Sequence, residues 1–134
     1  MQVLPHVDFF GRCEEAVEFY KSALGAEVEV LHRYSDLPAF HDVPDELGHK
    51  VLLATLKIGE GRLTCGDVML EPIQYGGYSI LLVVDSVEEA ERLSTALTHG
   101  EGTVHFEMTE TAQEDQAHGV FDQFGVRWYF HVQT

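Results

Sequence analysis

Cys13-Glu14-Glu15-Ala16-Val17-Glu18-Phe19-Tyr20-Lys21-Ser22-Ala23-Leu24 and Val87-Glu88-Glu89-Ala90-Glu91-Arg92-Leu93-Ser94-Thr95-Ala96-Leu97 decide the fold. In the first stretch the apolar positions 13, 16, 17, 19, 20, 23 and 24 lie on a 3.6-residue stripe, the signature of an amphipathic helix. Acidic residues fill its first turn, where the helix dipole favours them, and Gly25 stands where a helix takes a left-handed C-terminal residue. The second stretch has the same build. Ser86 is placed to cap it, Glu89 holds the capping-box position, and Gly100 and Gly102 follow its end. Glu14-Glu15-Ala16 is thus answered by Glu88-Glu89-Ala90.

Strand patterns surround each helix. In the first half these are Val3 to Phe10, Glu27 to Tyr34, Lys50 to Ile58 and Arg62 to Leu70. Gly59-Glu60-Gly61 joins the last two as a hairpin, and Ser35 to Gly48 reads as a loop. Pro72 to Gly77 reads as a linker, after which the order restarts. Tyr78 to Val84, Thr103 to Thr111, His118 to Asp122 and Arg127 to Gln133 are the strands of the second half, with a polar loop over Ala112 to Ala117. The expectation is an α+β fold of two βαβββ repeats in one domain spanning 1–134, with repeat one over about 1–71 and repeat two over about 78–134.

Composition narrows the function classes. Among 134 residues, 45% are hydrophobic and 23% charged, ordinary values for a folded chain. Lys plus Arg is 8 against 23 for Asp plus Glu, a net charge of −15. Such a field repels phosphate backbones and anionic lipid, so no nucleic-acid partner and no membrane-surface partner are expected. The longest aliphatic run, Ile80 to Val84, falls far short of the ~18 residues a membrane span needs. The start, Met1-Gln2-Val3-Leu4-Pro5, has no signal-peptide character. With only Cys13 and Cys65 there is no disulfide framework, and a cytoplasmic location is expected.

Pro5-His6-Val7-Asp8-Phe9-Phe10-Gly11-Arg12-Cys13-Glu14-Glu15-Ala16-Val17-Glu18-Phe19-Tyr20, closing on Leu24-Gly25-Ala26-Glu27, resembles the opening of PhnB-like proteins. Leu56-Lys57-Ile58-Gly59 fits the same pattern, as does the more specific Gly119-Val120-Phe121-Asp122-Gln123-Phe124-Gly125-Val126-Arg127-Trp128. The resemblance, which covers nearly the whole chain, is to the vicinal oxygen chelate superfamily, the group of glyoxalase I, bleomycin-resistance proteins and extradiol dioxygenases. It implies curled mixed sheets around a cleft, as in glyoxalase and bleomycin-resistance proteins, and a homodimer.

In the metal enzymes of that superfamily, four strand positions bearing His, Glu or Gln hold a divalent ion that polarises two adjacent substrate oxygens. Carried onto this chain, those positions fall on His6, Leu53, Ser79 and Tyr129. One good ligand in four does not hold a catalytic metal. Slipping each strand by one residue yields no better donor set. The resemblance therefore implies a metal-free member with no cofactor. The alternative is a metal-dependent glyoxalase-type lyase or isomerase, or a dioxygenase, with a His6–His131 pair and a third donor as its least unfavourable site.

Period-two alternation puts Val7 and Phe9 on the helix-covered side, leaving His6, Asp8 and Phe10 to the ligand face. The same argument assigns Leu53, Ser79, Leu81, Tyr129 and His131 to that face. A carboxylate there either pairs with His6, giving an Asp8–His6 couple capable of proton transfer, or sits solvated at the rim. Catalysis is left open, with His6, Asp8 and Tyr129 as candidates. Family equivalents of His118 lie near the cleft mouth, which makes it a candidate ligand contact. His32, His41, His49, His99 and His105 share no metal-ligand spacing and read as surface residues. Cys13 and Trp128 read as core. The expected ligand is a small neutral or cationic molecule with an apolar or aromatic portion, bound more weakly below about pH 6.5 as the histidines charge. Sequences of this kind are sometimes labelled methyltransferases, but Gly59-Glu60-Gly61 joins two strands and not a strand to a helix, so no nucleoside-cofactor turn is expected.

Overall fold

A computed structural model describes residues 1–38, 44–68, 74, 76–110 and 115–133. His41, half of the linker expected over Pro72 to Gly77, and residues 112–114 of the expected polar loop lie outside the described residues. The chain divides into two compact units, Met1–Gln74 and Tyr75–Thr134.

In the first unit the order is β1 (His6–Asp8), α1 (Cys13–Leu24), β2 (Glu27–Arg33), a 3-10 turn at Tyr34–Asp36, α2 (Asp45–Gly48), β3 (Val51–Ile58) and β4 (Gly61–Gly66). The sheet runs β1-β4-β3-β2, with β1 parallel to β4 and the remaining pairs antiparallel. The stripe on α1 buries Cys13, Ala16, Val17, Tyr20 and Ala23. The helix packs on β3, and its side of the sheet carries the buried Val7, Ala54, Leu56, Leu63 and Cys65. Gly25 takes φ +67° and its N–H donates to the Lys21 carbonyl, the expected C-terminal stop. The loop expected over Ser35 to Gly48 includes the 3-10 turn and the single turn of α2. There the N–H groups of Leu47 and Gly48 reach the Pro44 carbonyl, and proline suits a helix start.

The second unit repeats the plan with β5 (Ile80–Val84), α3 (Val87–Leu97), β6 (Thr103–Glu110), β7 (Gln116–Phe121) and β8 (Arg127–Val132). Its sheet runs β5-β8-β7-β6, again with the first and last strands parallel. Ser86 caps α3 by accepting from the Glu89 N–H at 3.1 Å. Ala90, Ser94 and Leu97 of α3 are buried, as are Val84, Val120, Trp128, Phe130 and Val132 of the strands. Fully burying side chains of this size contributes roughly 1.5–3 kcal/mol each, so the helix-covered side of each sheet is where cohesion resides.

Two buried carboxylates fix local geometry. Asp67 accepts from Gly11 N (2.7 Å), Cys13 N (2.9 Å) and Val51 N (3.0 Å). It therefore caps α1 from the far end of β4, since Arg12 at the N-cap offers no side-chain bond. Asp122 accepts from Phe124 N, Val126 N and the Trp128 indole N–H, the last at 2.8 Å. The motif Asp-x-Phe-Gly-x-x-Trp is thus a turn whose first and last residues are bonded together, with Gly125 at φ +83°.

Candidate functional site

Each sheet has a helix on one face, and the chemistry-bearing side chains gather on the other. In the first unit, His6 pairs in register with Thr64 and Asp8 with Gly66. Thr64 is opposite Thr55 on β3, which is opposite Val30 on β2. His6 Nδ1 lies 2.8 Å from Thr64 Oγ1, and His6 Nε2 lies 3.0 Å from Asp8 Oδ1. Thr64 Oγ1 is also 3.2 Å from the Pro5 carbonyl, to which only it can donate. Both ring nitrogens of His6 are therefore engaged, on a strand edge where the imidazole remains accessible. Asp8 is the paired carboxylate of the two alternatives. Tyr34 donates to the Asp67 carbonyl. Burial, followed by the charges of Asp67 and Asp8, raises its phenol above the ordinary value.

Leu53 sits on this same helix-free face, opposite His32 on β2. The strand carries an extra residue there, because His32 pairs with Leu53 while Arg33 pairs with Val51. Leu52 is the bulged residue, and its carbonyl lies so close to Gly66 that a Cβ there would collide with it. The alternation argument does not reach Phe10, because β1 ends at Asp8. Phe10 lies in the turn to α1 with φ +52°, followed by Gly11 at φ +102°. A bulky residue in the left-handed region is strained, and the Asp67 bonds hold that turn in place.

In the second unit, Leu81 pairs with Tyr129 and Val83 with His131. Leu81 and Val83 are 55% and 54% exposed, high values for aliphatic residues in a strand. Ser79 lies just before β5, so it too is placed at the strand's mouth and not within its ladder. Tyr129 is opposite Gly119, across which the Phe106 ring lies. Phe106 and Tyr129 have ring centroids 5.1 Å apart. His131 Nε2 is 3.0 Å from Asp115 Oδ2, a partner the sequence reading did not find. His118 is a correction. It shares the helix-covered face with Phe130, on which it stacks, and its Nε2 lies 2.7 Å from Ser94 Oγ of α3. It is 6% exposed and so lies in the packed core of its unit, on the side away from the proposed ligand contacts. Cys13 is core as expected. A hydrogen bond with Cys65, and then burial, push its thiol far above the ordinary value.

The four metal positions of the resemblance hold one imidazole and three residues that are poor donors. The imidazole is already bonded through both nitrogens, to Thr64 and Asp8. Among the described residues no three His, Cys, Asp or Glu side chains group as a metal site. This donor set does not fit a divalent ion of the kind the metal enzymes carry. Gly59-Glu60 forms the β3–β4 hairpin expected there, with Ile58 paired to Gly61. No helix among the described residues is long and apolar enough to cross a membrane.

Comparison with known proteins gives a consistent result. A family model described as the Glyoxalase/Bleomycin resistance protein/Dioxygenase superfamily matches residues 4–130. The protein PA1353 of Pseudomonas aeruginosa is similar in structure, with a TM-score of 0.83 at 32% identity over 99% of this chain and 98% of that one. The PhnB protein of Bacillus cereus, named a putative 3-demethylubiquinone-9 3-methyltransferase, shares the fold with a TM-score of 0.80 at 18% identity, over 99% and 100% of the two chains. Protein YjdN of Escherichia coli strain K12 is 26% identical over 98% of this chain and 95% of its own length.

Proposed function

The chain belongs to the glyoxalase/bleomycin resistance/dioxygenase superfamily, and from that premise we propose that it is a metal-free small-molecule-binding protein that works as a homodimer. The observation that carries this reading is the bonding of His6. The residue at the first metal position has Thr64 on one nitrogen and Asp8 on the other. The remaining positions hold Leu53, Ser79 and Tyr129. Aliphatic and aromatic walls with a few ordered polar groups are how small-molecule sites are built.

In this reading the first unit, taken by itself, offers His6, Asp8 and Leu53 as ligand contacts, with Phe10 at the adjoining turn. The second unit, taken by itself, offers Ser79, Leu81, Tyr129 and His131. The ligand has an apolar or aromatic portion, and the part of it that meets Asp8 is neutral or cationic. If a reaction follows binding, the His6–Asp8 couple and the Tyr129 phenol are its candidate proton-transfer groups.

Thermal-shift screening of a small-molecule library against the wild type, Tyr129→Ala and Asp8→Asn tests the proposal. Stabilising compounds are expected to lose most of their shift in at least one variant. Compounds that stabilise all three proteins equally would place the ligand elsewhere. Elemental analysis of protein purified without a histidine tag checks the metal-free reading. One equivalent of Zn, Ni, Mn or Fe, lost in His6→Ala, would reverse it in favour of a metal-dependent lyase, isomerase or dioxygenase.

A further inference from the structure

We infer that Arg127 reads an acidic group on the ligand, a carboxylate or a phosphoryl group attached to a flat apolar body. This deepens the proposed function and rests on it, because it assigns a ligand chemistry to the helix-free face of the second unit. Arg127 opens β8, and alternation puts it on the face of Tyr129 and His131 while Trp128, Phe130 and Val132 are buried behind them.

Three other arginines are matched with carboxylates: Arg12 with Glu15, Arg33 with Glu14 and Arg62 with Glu29. Arg92 is exposed on α3, where water solvates it. Arg127 differs from both kinds. It is half-buried, its Nε is buried with no acceptor, and no carboxylate among the described residues pairs with it. Buried N–H donors in folded proteins nearly always find an acceptor. A guanidinium does not escape the requirement by losing its proton.

The surroundings say what kind of acceptor fits. Phe121 of β7 stands opposite Arg127 in register, and Tyr129 follows two residues along the same face. Phe106, seated over Gly119, extends that aromatic surface beside Tyr129. A flat apolar body has walls to lie on, and its acidic group meets a planar fork of donors that matches carboxylate and phosphoryl oxygens two at a time. This departs from the neutral or cationic ligand expected from the acidic chain and Asp8, because that expectation took no account of Arg127. The group that meets Arg127 is anionic.

The test uses the full chain with benzoate, phenylphosphonate, benzamide and benzylamine as probes. The side-chain Nε–H resonance of Arg127, assigned by its loss in Arg127→Gln, is followed during titration, and affinities are measured by calorimetry. Benzoate or phenylphosphonate is expected to shift that resonance saturably, and to bind about tenfold or more weakly to Arg127→Gln. Benzamide is expected to bind both proteins alike. A response to benzoate alone marks a carboxylate ligand, and a response to phenylphosphonate alone marks a phosphoryl one. Arg127→Lys, which keeps the charge and loses the fork, is expected to fall between the two. If Arg127→Gln does not fold, the wild-type titration decides, because the resonance of Arg127 is then assigned from Arg127→Lys. Benzamide or benzylamine binding as tightly as benzoate to wild type and variant would overturn the acid-reading role while leaving the face as a ligand site. An unmoved Nε–H with bound benzoate overturns the role too. No response of the face to any probe overturns both.

Discussion

Asp67 shows how one side chain can hold several elements at once. Its two oxygens take three backbone N–H groups, from the turn after β1, the start of α1 and the start of β3. Replacing it with alanine strands those donors in a buried place, and a loss of about 3–5 kcal/mol is expected by urea unfolding, which would mark it as a main support of the first unit. Cys13 beside it has a different signature. Its proton is held more tightly in the folded chain than in the unfolded one, so its stabilising effect is complete below the unfolded thiol value of about 8.5 and is lost as pH rises beyond it. Tyr34 is shifted in the same direction. Unfolding free energy is therefore expected to decline steadily above about pH 8.5, with a shallower decline in Cys13→Ala. A thiol reagent applied to the folded protein is expected to leave Cys13 and Cys65 unmodified, and to modify both in denaturant.

At the scale of elements, two glycines make opposite demands. A methyl group on Gly66 would meet the Leu52 carbonyl oxygen, part of the bulged backbone of β3. A methyl group on Gly119 would meet the edge of the Phe106 ring, a side chain that can turn aside. Gly66→Ala is expected to cost about 3 kcal/mol or more and Gly119→Ala about 1–2 kcal/mol, measured by thermal unfolding. Gly119→Ala has a second expected effect, weakened binding of aromatic probes, because Phe106 leaves its place beside Tyr129. Both helices were legible in the sequence to the residue, since stripe, acidic first turn and terminal glycine all agreed on Cys13 to Leu24, and Ser86 fixed the start of Val87 to Leu97. Strand ends were less legible. Val3 to Phe10 gives only His6–Asp8, because pairing with β4 stops at Gly66 and the Phe10-Gly11 turn begins at once. The bulge at Leu52 and the remote cap by Asp67 have no local signal, as both come from partners far away in the chain. His6 and Asp8 were readable as a pair from their spacing of two. Asp115 beside His131 was not, because it lies in a loop where no periodicity applies.

At the scale of the whole molecule, the proposed homodimer makes a prediction about mass. A sedimentation mass of twice the 15.1 kDa chain at micromolar concentration is expected, and a mass of one chain would count against it. The charge of −15 opposes association at long range, but screening confines that repulsion to about 8 Å at physiological ionic strength, so mass is expected to shift toward the single chain as salt is lowered. The sheet order has a further consequence, for the order in which the protein is made. In each unit the strand synthesised first, β1 or β5, pairs only with the strand synthesised last, β4 or β8. A ribosome delivering the chain from its N-terminus exposes His6, Val7 and Asp8 long before Thr64, Cys65 and Gly66 exist to receive them. The sheet beneath α1 can close only once β4 is available to receive β1. Each half of the protein is therefore expected to close its sheet only when its final strand, β4 in one and β8 in the other, is free to pair.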